Sequence, residues 1–398
     1  MSGETAVHPE QAARVAVAVL FLTNGALFAN LVPRYPQIKA DLGIGNAAYG
    51  LAVAAFPAGA IVAGLAAGVL VRRFGSARVA VAGTLVTGVA TLAAGVAPST
   101  VALAAALFLG GAMDAITDVA QNAHGLRVQR RYGRSIINSF HAVWSIGAVT
   151  GGAMAAGAIA VGLSRGVHLT ASAVLFAVVA LVALRYCLPG PDAADRTAAE
   201  EEVPTTVARS AGSRTMFVLG ALVLIAMGGT IVEDAGSSWA AVYLSGSLQA
   251  PGALAAFGFI ALVGTQFVGR MVGDRLVDRF GQRTVARAGG VITAGGMGIA
   301  LAFPTVPGTI AGFAAAGLGI ATLVPAAMHE ADELPGLRPG TGLTVVSWLM
   351  RLGFLLSPPL VGLVADASSL RLGLLLVPAA GLLVVALAGT LQPRRRDA

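Results

Sequence analysis

Along this chain, apolar stretches of about 20 residues alternate with short polar breaks, and the alternation recurs twelve times. A helix rises about 1.5 Å per residue, so each stretch is long enough to cross the ~30 Å hydrocarbon core of a bilayer. The runs are Val15–Val32, Ala47–Val71, Val79–Ala97, Val101–Ala123, Ile136–Val161 and Leu169–Leu188, then Met216–Tyr243, Ala253–Val272, Val285–Phe303, Gly308–Met328, Gly340–Ala365 and Leu370–Leu391. They predict an all-α polytopic membrane protein with twelve transmembrane helices. The run from Val15 continues through Val32 and reads as a first membrane helix rather than a cleaved leader.

The one long polar break lies between the sixth and seventh runs, Pro189 to Arg214, and contains Glu200, Glu201 and Glu202. It divides the chain into a first six-helix bundle at 1–190, a cytoplasmic linker at 191–214 and a second six-helix bundle at 215–398. The halves repeat each other. Arg73-Phe74-Gly75 recurs as Arg279-Phe280-Gly281, 206 residues later, and the segment from Gly147 to Gly152 aligns with Ser357 to Gly362 at an offset of 210. Internal duplication of this kind builds a central site between two pseudo-symmetric bundles.

Composition narrows the function class. Only 11% of residues are charged and the mean hydropathy is +0.81, whereas soluble domains carry about 25% charged residues. The net charge of +7 belongs to loop arginines rather than to a nucleic-acid surface. Placing the N-terminus in the cytoplasm puts Arg72, Arg73, Arg78, Arg127, Arg130, Arg131, Arg134, Arg275, Arg279, Arg283, Arg287 and Arg394 to Arg396 inside. Arg34, Lys39, Arg165 and Arg371 then fall in outside loops. The positive-inside rule therefore expects a multi-pass protein of the cell membrane with both termini cytoplasmic. The single cysteine, Cys187, forms no disulfide within one chain. His329, Glu330, Asp332 and Glu333 read as a solvated loop after the tenth run, without metal-ligand spacing. No phosphate-binding Gly-x-x-x-x-Gly-Lys loop and no clustered nucleophile occurs, so the chain is expected to be neither an ATP-driven pump nor an enzyme, and to need no cofactor or metal.

Ionisable residues inside a bilayer are costly and tend to mark a pathway. Asp114 and Asp118 in the fourth run stand one turn apart on one helix face. Two carboxyls this close resist ionising together, so one can hold a proton. The alternative is a fixed gate network in which an Asp is bonded to Asn122, Asn138 or a loop arginine. His141, about two turns into the fifth run, can relay or tune a proton near a carboxylate, or simply make a helix contact. Arg351, near the middle of the eleventh run, is its repeat counterpart and needs either a carboxylate or an anionic substrate group. Glu233 and Asp234 are adjacent and point about 100° apart, so one faces a cavity squarely and the other caps or is solvated near Gly236. Trp144 and Trp348 flank His141 and Arg351 by three residues and either stack on substrate or pack between helices. Small residues four apart, Gly64 with Gly68 and Gly147 with Gly151, permit close helix crossings.

The segment Asp274 to Arg283, with Asp278, Arg279, Gly281 and Arg283, resembles the gating loop of the major facilitator superfamily; its first-half copy carries Arg72 where that family has an acid. A narrower likeness is to the fucose-permease-like bacterial branch, in Asp118 to Asn122, Phe140 to Gly147, and Glu233 with Trp239, Tyr243 and Leu244. The resemblance implies the major facilitator fold, an acid on the fourth helix, here Asp118, as proton site, and Glu233 as the cavity-facing acid of the seventh helix, with Asp234 capping or solvated near a helix break at Gly236. On the first helix those relatives carry an acid where this chain offers Asn24 and Asn30.

The expected protein is a proton-coupled secondary carrier whose bundles rock about a central cavity and move a small polar organic solute, sugar-like or anionic, by alternating access. Asp118, Asp114 and His141 are the proton-coupling candidates; Arg351, Glu233, Asn24, Asn122, Trp144 and Trp348 are the substrate-binding ones. The alternative is a proton-antiport exporter of a drug or secondary metabolite, for which Gly147 to Gly152 faintly resembles an antiporter motif with Ala148 in place of its proline. A non-transporting sensor is more distant. Expected partners are the solute, protons and the lipid bilayer, with no nucleic acid, and the chain is expected to act as a monomer.

Overall fold

The computed structural model describes residues 9–133, 136–190, 192, 212–338 and 340–392. Arg134, Arg394 to Arg396, Glu200 to Glu202 and most of the expected linker lie outside the described residues. Among those described, twelve helical spans are long and apolar enough to cross a membrane. They are α1 (Glu10–Asp41), α2 (Asn46–Phe74), α3 (Ser76–Gly95), α4 (Thr100–Tyr132), α5 (Ile137–Ala160), α6 (Arg165–Leu184), α7 (Ser213–Ser247), α8 (Gly252–Phe280), α9 (Gln282–Ala302), α10 (Val306–Asp332), α11 (Thr341–Ala367) and α12 (Leu370–Thr390).

The helices are less continuous than the apolar runs suggest. α10 turns at Ala321 and Thr322, α11 is interrupted at Met350, and α12 turns at Leu374 and Leu375. A broken helix inside lipid must satisfy its freed carbonyls from within the protein. At the α11 break the Met350 carbonyl accepts both the Gly353 amide and the Thr230 hydroxyl of α7, each at 2.9 Å.

Two compact units emerge: Met1–Arg34 with Ala55–Val203, and Tyr35–Ala54 with Pro204–Ala398. In unit 1, α1 and α5 cross so closely that a Cβ added at Gly147 or Gly151 would run into the Leu22 or Ala26 carbonyl, and one at Gly25 into that of Trp144. The expected crossing at Gly147 and Gly151 is therefore present. Gly68 makes none, since a Cβ there would meet only Arg72 of its own helix, 3.4 Å away.

Unit 2 includes the stretch Tyr35–Ala54 through specific bonds. Asp366 accepts from the Asn46 and Ala47 amides at 2.9 and 2.8 Å and from the Asn46 side chain, capping the start of α2. Tyr49 donates to the Ser238 carbonyl at 2.7 Å, and its ring meets Trp239 edge-on at 4.9 Å.

Two expectations about charged residues need correction. Arg34 is not in a solvated loop: it is 1% exposed, at a 3-10 joint within α1, donating to the Leu163 carbonyl at 3.0 Å and lying 3.4 Å from His168 Nδ1. His168 Nε2 in turn bonds Asn30 Oδ1 at 2.8 Å. The apolar run ends at Val32, but the helix continues because Arg34 is satisfied inside the protein. Similarly, His329, Glu330 and Asp332 are helical, and Glu330 is buried, accepting the Gln392 amide at 3.0 Å.

The α1–α5 crossing gives a stability prediction. Gly147→Val should destabilise the protein by about 1–3 kcal/mol through overpacking, whereas Gly157→Ala, with open space around it, should be neutral or slightly stabilising. Thermal unfolding of the purified protein in detergent checks the pair; equal melting temperatures would contradict the crossing.

Candidate functional site

In unit 1 the fourth and fifth spans bring the predicted proton group together. Asp114 is partly buried, and the Asn24 side chain of α1 hydrogen-bonds it. One turn further along α4, Asp118 is exposed, and Asn122 donates Nδ2 to Asp118 Oδ1 at 2.9 Å and to its backbone carbonyl at 2.9 Å. With its NH2 so engaged, Asn122 offers Oδ1 to His141 Nε2 at 3.2 Å, a contact that suits the tautomer with its hydrogen on Nε2. The Phe21 ring stands edge-on to the imidazole, with centroids 5.3 Å apart. Asn122 therefore stands between Asp118 and His141, bonded to both side chains.

In unit 2 the two adjacent acids of α7 have separate surroundings. Glu233 Oε2 accepts Gln266 Nε2 at 2.8 Å and lies 4.0 Å from Arg270 Nη2, both on α8. Asp234 is neither capping nor solvated. It is 7% exposed in the middle of an unbroken helix that runs through Gly236. Ser238 donates to its Oδ1 at 3.1 Å, Ser357 lies beside the carboxyl, and Oδ2 accepts no hydrogen bond among the described residues. Helical geometry explains the difference: adjacent residues diverge by about 100°, which sends Asp234 toward α11 and Glu233 toward α8.

Arg351 is partly buried and begins the second segment of the broken α11. It makes no ion pair or side-chain hydrogen bond with a described residue. Of the two tryptophans, Trp144 packs partly buried against the cluster of Val17, Phe21 and Phe140, and Trp348 is 48% exposed.

The gating loop forms the α8–α9 joint. Gly281 has φ +81°, a conformation that side chains strain to adopt, and Arg283 donates to the Leu391 carbonyl at 3.0 Å. Arg279 lies over the Phe280 ring at 5.3 Å, while Asp278 is exposed without a side-chain partner among the described residues. The first-half joint repeats this with Gly75 at φ +86° and Arg73 over Phe74 at 5.3 Å. That copy carries Arg72 in place of the acid, and a carboxylate from further along the chain binds beside it. Asp192 binds the Ser76 amide at 2.7 Å, the Ser76 hydroxyl at 2.8 Å and buried Arg127 at 3.4 Å.

Sequence reasoning passed over Gln266 and Arg270, whose signal was a polar pair one turn apart inside the eighth apolar run. No group of three or more potential metal ligands occurs among the described residues.

Comparison with known proteins now decides the family. The pattern described as Major Facilitator Superfamily matches residues 17–276, well over half the chain. The chain belongs to the major facilitator superfamily. As a superfamily member it is a secondary transporter and not an enzyme. Among curated relatives, an uncharacterized transporter, y4wD, of Sinorhizobium fredii is 30% identical over 94% of this chain and 97% of its own length. The membrane protein MosC of Rhizobium meliloti is 29% identical over 96% and 90%. Solved structures sharing the fold include the nucleoside transporter NupG, with TM-score 0.75 at 12% identity over 96% of this chain and 99% of that one. A D-xylose-proton symporter gives 0.70 at 18% identity, covering 95% of each.

The Asn122 bridge is testable without knowing the solute. In Asn122→Leu, the His141 ring loses the acceptor at Nε2, and nitrogen-15 NMR of histidine-labelled protein, assigned with His141→Gln, should show its hydrogen redistribute between the two ring nitrogens. An unchanged spectrum would mean that another group sets the tautomer.

Proposed function

We propose that this superfamily member is a proton-coupled carrier of a small polar organic solute bearing an anionic group, working by alternating access in the bacterial cell membrane. The observation that carries the reading is Arg351: a partly buried guanidinium at a helix break, with no partner among the described residues, while the candidate acid on α7, Glu233, is engaged by Gln266 and Arg270. Interrupted membrane helices mark substrate sites in transporters, and a guanidinium matches a carboxylate or phosphate with two parallel bonds.

The proton side of the proposal rests on Asp118, with Asp114 and His141 setting its charge environment. Likeness to the fucose-permease-like branch supports Asp118 in that role. Coupling then requires that proton occupancy favour one access state over the other. The arginine distribution supports cytoplasmic termini, and one chain supplies both bundles, so a monomer suffices. The exporter reading keeps its support in the Gly147 to Gly152 segment and differs only in the direction that protons drive.

Untargeted metabolite analysis of cells and medium, comparing wild type, Asp118→Asn and an empty vector, tests the assignment. An anionic polar compound enriched inside only with wild type supports import and names the solute; enrichment in the medium supports export; no difference among the three strains removes the anionic metabolites of these cells and this medium as the solute. With the compound in hand, Arg351→Gln should raise KM by about tenfold or more, the loss of one charge-assisted pair. Asp118→Asn should abolish accumulation driven by a pH gradient while leaving solute counterflow. Undiminished gradient-driven uptake in Asp118→Asn would remove that residue from coupling.

A further inference from the structure

At the end of unit 1 where α2 meets α3, a cavity of about 880 Å³ opens beside the last residues of α6. Its charged lining is Arg72, Arg73, Arg78, Arg127 and Arg185, against the single carboxylate of Asp192. That carboxylate is already committed to Ser76 and Arg127. Arg127 is itself satisfied, since it also donates to the carbonyls of Leu188, Pro189 and Gly190. The remaining four guanidinium groups are exposed and form no ion pair or hydrogen bond with a described residue; Arg73 only overlies Phe74. The cavity therefore presents an excess of forked cationic donors around a site held rigid by Arg127 and Asp192.

We propose that this cavity binds a phosphate-bearing anion, and that its source is the headgroup of an anionic phospholipid. Guanidinium groups match phosphate oxygens with paired hydrogen bonds, and basic pockets between transmembrane helices hold acidic lipid headgroups. The position selects lipid over a soluble compound. The spans α2, α3 and α6 all end here, at Phe74, Ser76 and Leu184, so the cavity lies where apolar spans give way to polar chain. Exposed apolar side chains stand at the ends of these spans: Phe74, which lines the cavity, and Val182 are each 50% exposed, and Tyr186, an amphipathic ring suited to the membrane interface, is 57% exposed. A soluble anion makes no use of these surfaces; acyl chains cover them. A lipid bound here would tie the Gly75 joint to the end of α6. This inference uses the membrane placement of the chain but not the proton or solute assignments, so either can fail without the other.

The test uses the full-length protein, delipidated in detergent, with native mass spectrometry and thermal unfolding as readouts. Added phosphatidylglycerol should bind and stabilise the wild type about tenfold more effectively than phosphatidylcholine, and Arg72→Gln/Arg78→Gln/Arg185→Gln should erase that preference. Size-exclusion chromatography confirms that the variant is folded. Arg214→Gln/Arg287→Gln/Arg338→Gln removes three arginines from unit 2 and should leave the preference intact. Equal preference in wild type and the first variant would overturn the site. Protection by inorganic phosphate with none by phosphatidylglycerol would overturn the lipid and assign a soluble phosphate compound instead.

Discussion

A polar group in hydrocarbon must find its partner inside the protein, because lipid supplies none. This constraint dictates spans built from helices, which satisfy their own backbone, and it explains how the departures from ideal helices survive. Where α11 breaks at Met350, its carbonyl accepts the Gly353 amide and the Thr230 hydroxyl; between α8 and α10, the Thr265 hydroxyl reaches the Ala314 carbonyl at 2.6 Å. It also explains how a full guanidinium sits 1% exposed at Arg34, bonded to the Leu163 carbonyl and backed by the His168–Asn30 pair. Against that background, a polar group without such a partner carries information.

The same accounting clarifies the duplicated joints. Gly75 and Gly281 both turn the chain with positive φ, and the preceding arginine overlies its phenylalanine at the same 5.3 Å in each. The second copy is fastened to the end of the chain by Arg283 on the Leu391 carbonyl. The first copy, with Arg72 in the acid position, is fastened by Asp192 instead. The two joints thus share the turn and its stacked arginine and differ in the bond that holds each of them.

Much of the fold was legible because hydropathy over about 20 residues reports directly on the requirement to cross lipid. All twelve spans coincide with the apolar runs, whereas their breaks do not show, since a turn inside an apolar segment changes hydrogen bonding and leaves composition alone. The unit 1 site was legible for a related reason: Asp114, Asp118 and Asn122 follow one another at single-turn spacing, and helical periodicity alone aligns them. Asp192 was not legible. It stands in a polar stretch that reads as solvated linker, and its value comes from Ser76 and Arg127, 116 and 65 residues away in sequence. Likewise Arg34 reads as a loop cation because nothing local announces His168 or the Leu163 carbonyl.

The adjacent acids of α7 show what sequence spacing leaves undetermined. Spacing required Glu233 and Asp234 to diverge, but not which of them would be enclosed. Glu233 meets an amide and a guanidinium, the usual way a protein accommodates a carboxylate. Asp234 is more deeply enclosed yet meets only hydroxyl groups, with Oδ2 left over and no cation against it among the described residues. The buried Tyr35 hydroxyl and the Trp239 indole nitrogen, both in unit 2, also go without hydrogen-bond partners. Burying a polar group without a bond is costly, and natural proteins leave few such groups. These three lie together in unit 2, where the Tyr49 ring meets both Tyr35 and Trp239 edge-on and its hydroxyl donates to the carbonyl of Ser238, the residue that donates to Asp234. Closing a charge as Arg34 is closed takes several convergent partners, and around the Asp234 carboxyl the described residues supply only the hydroxyls of Ser238 and Ser357.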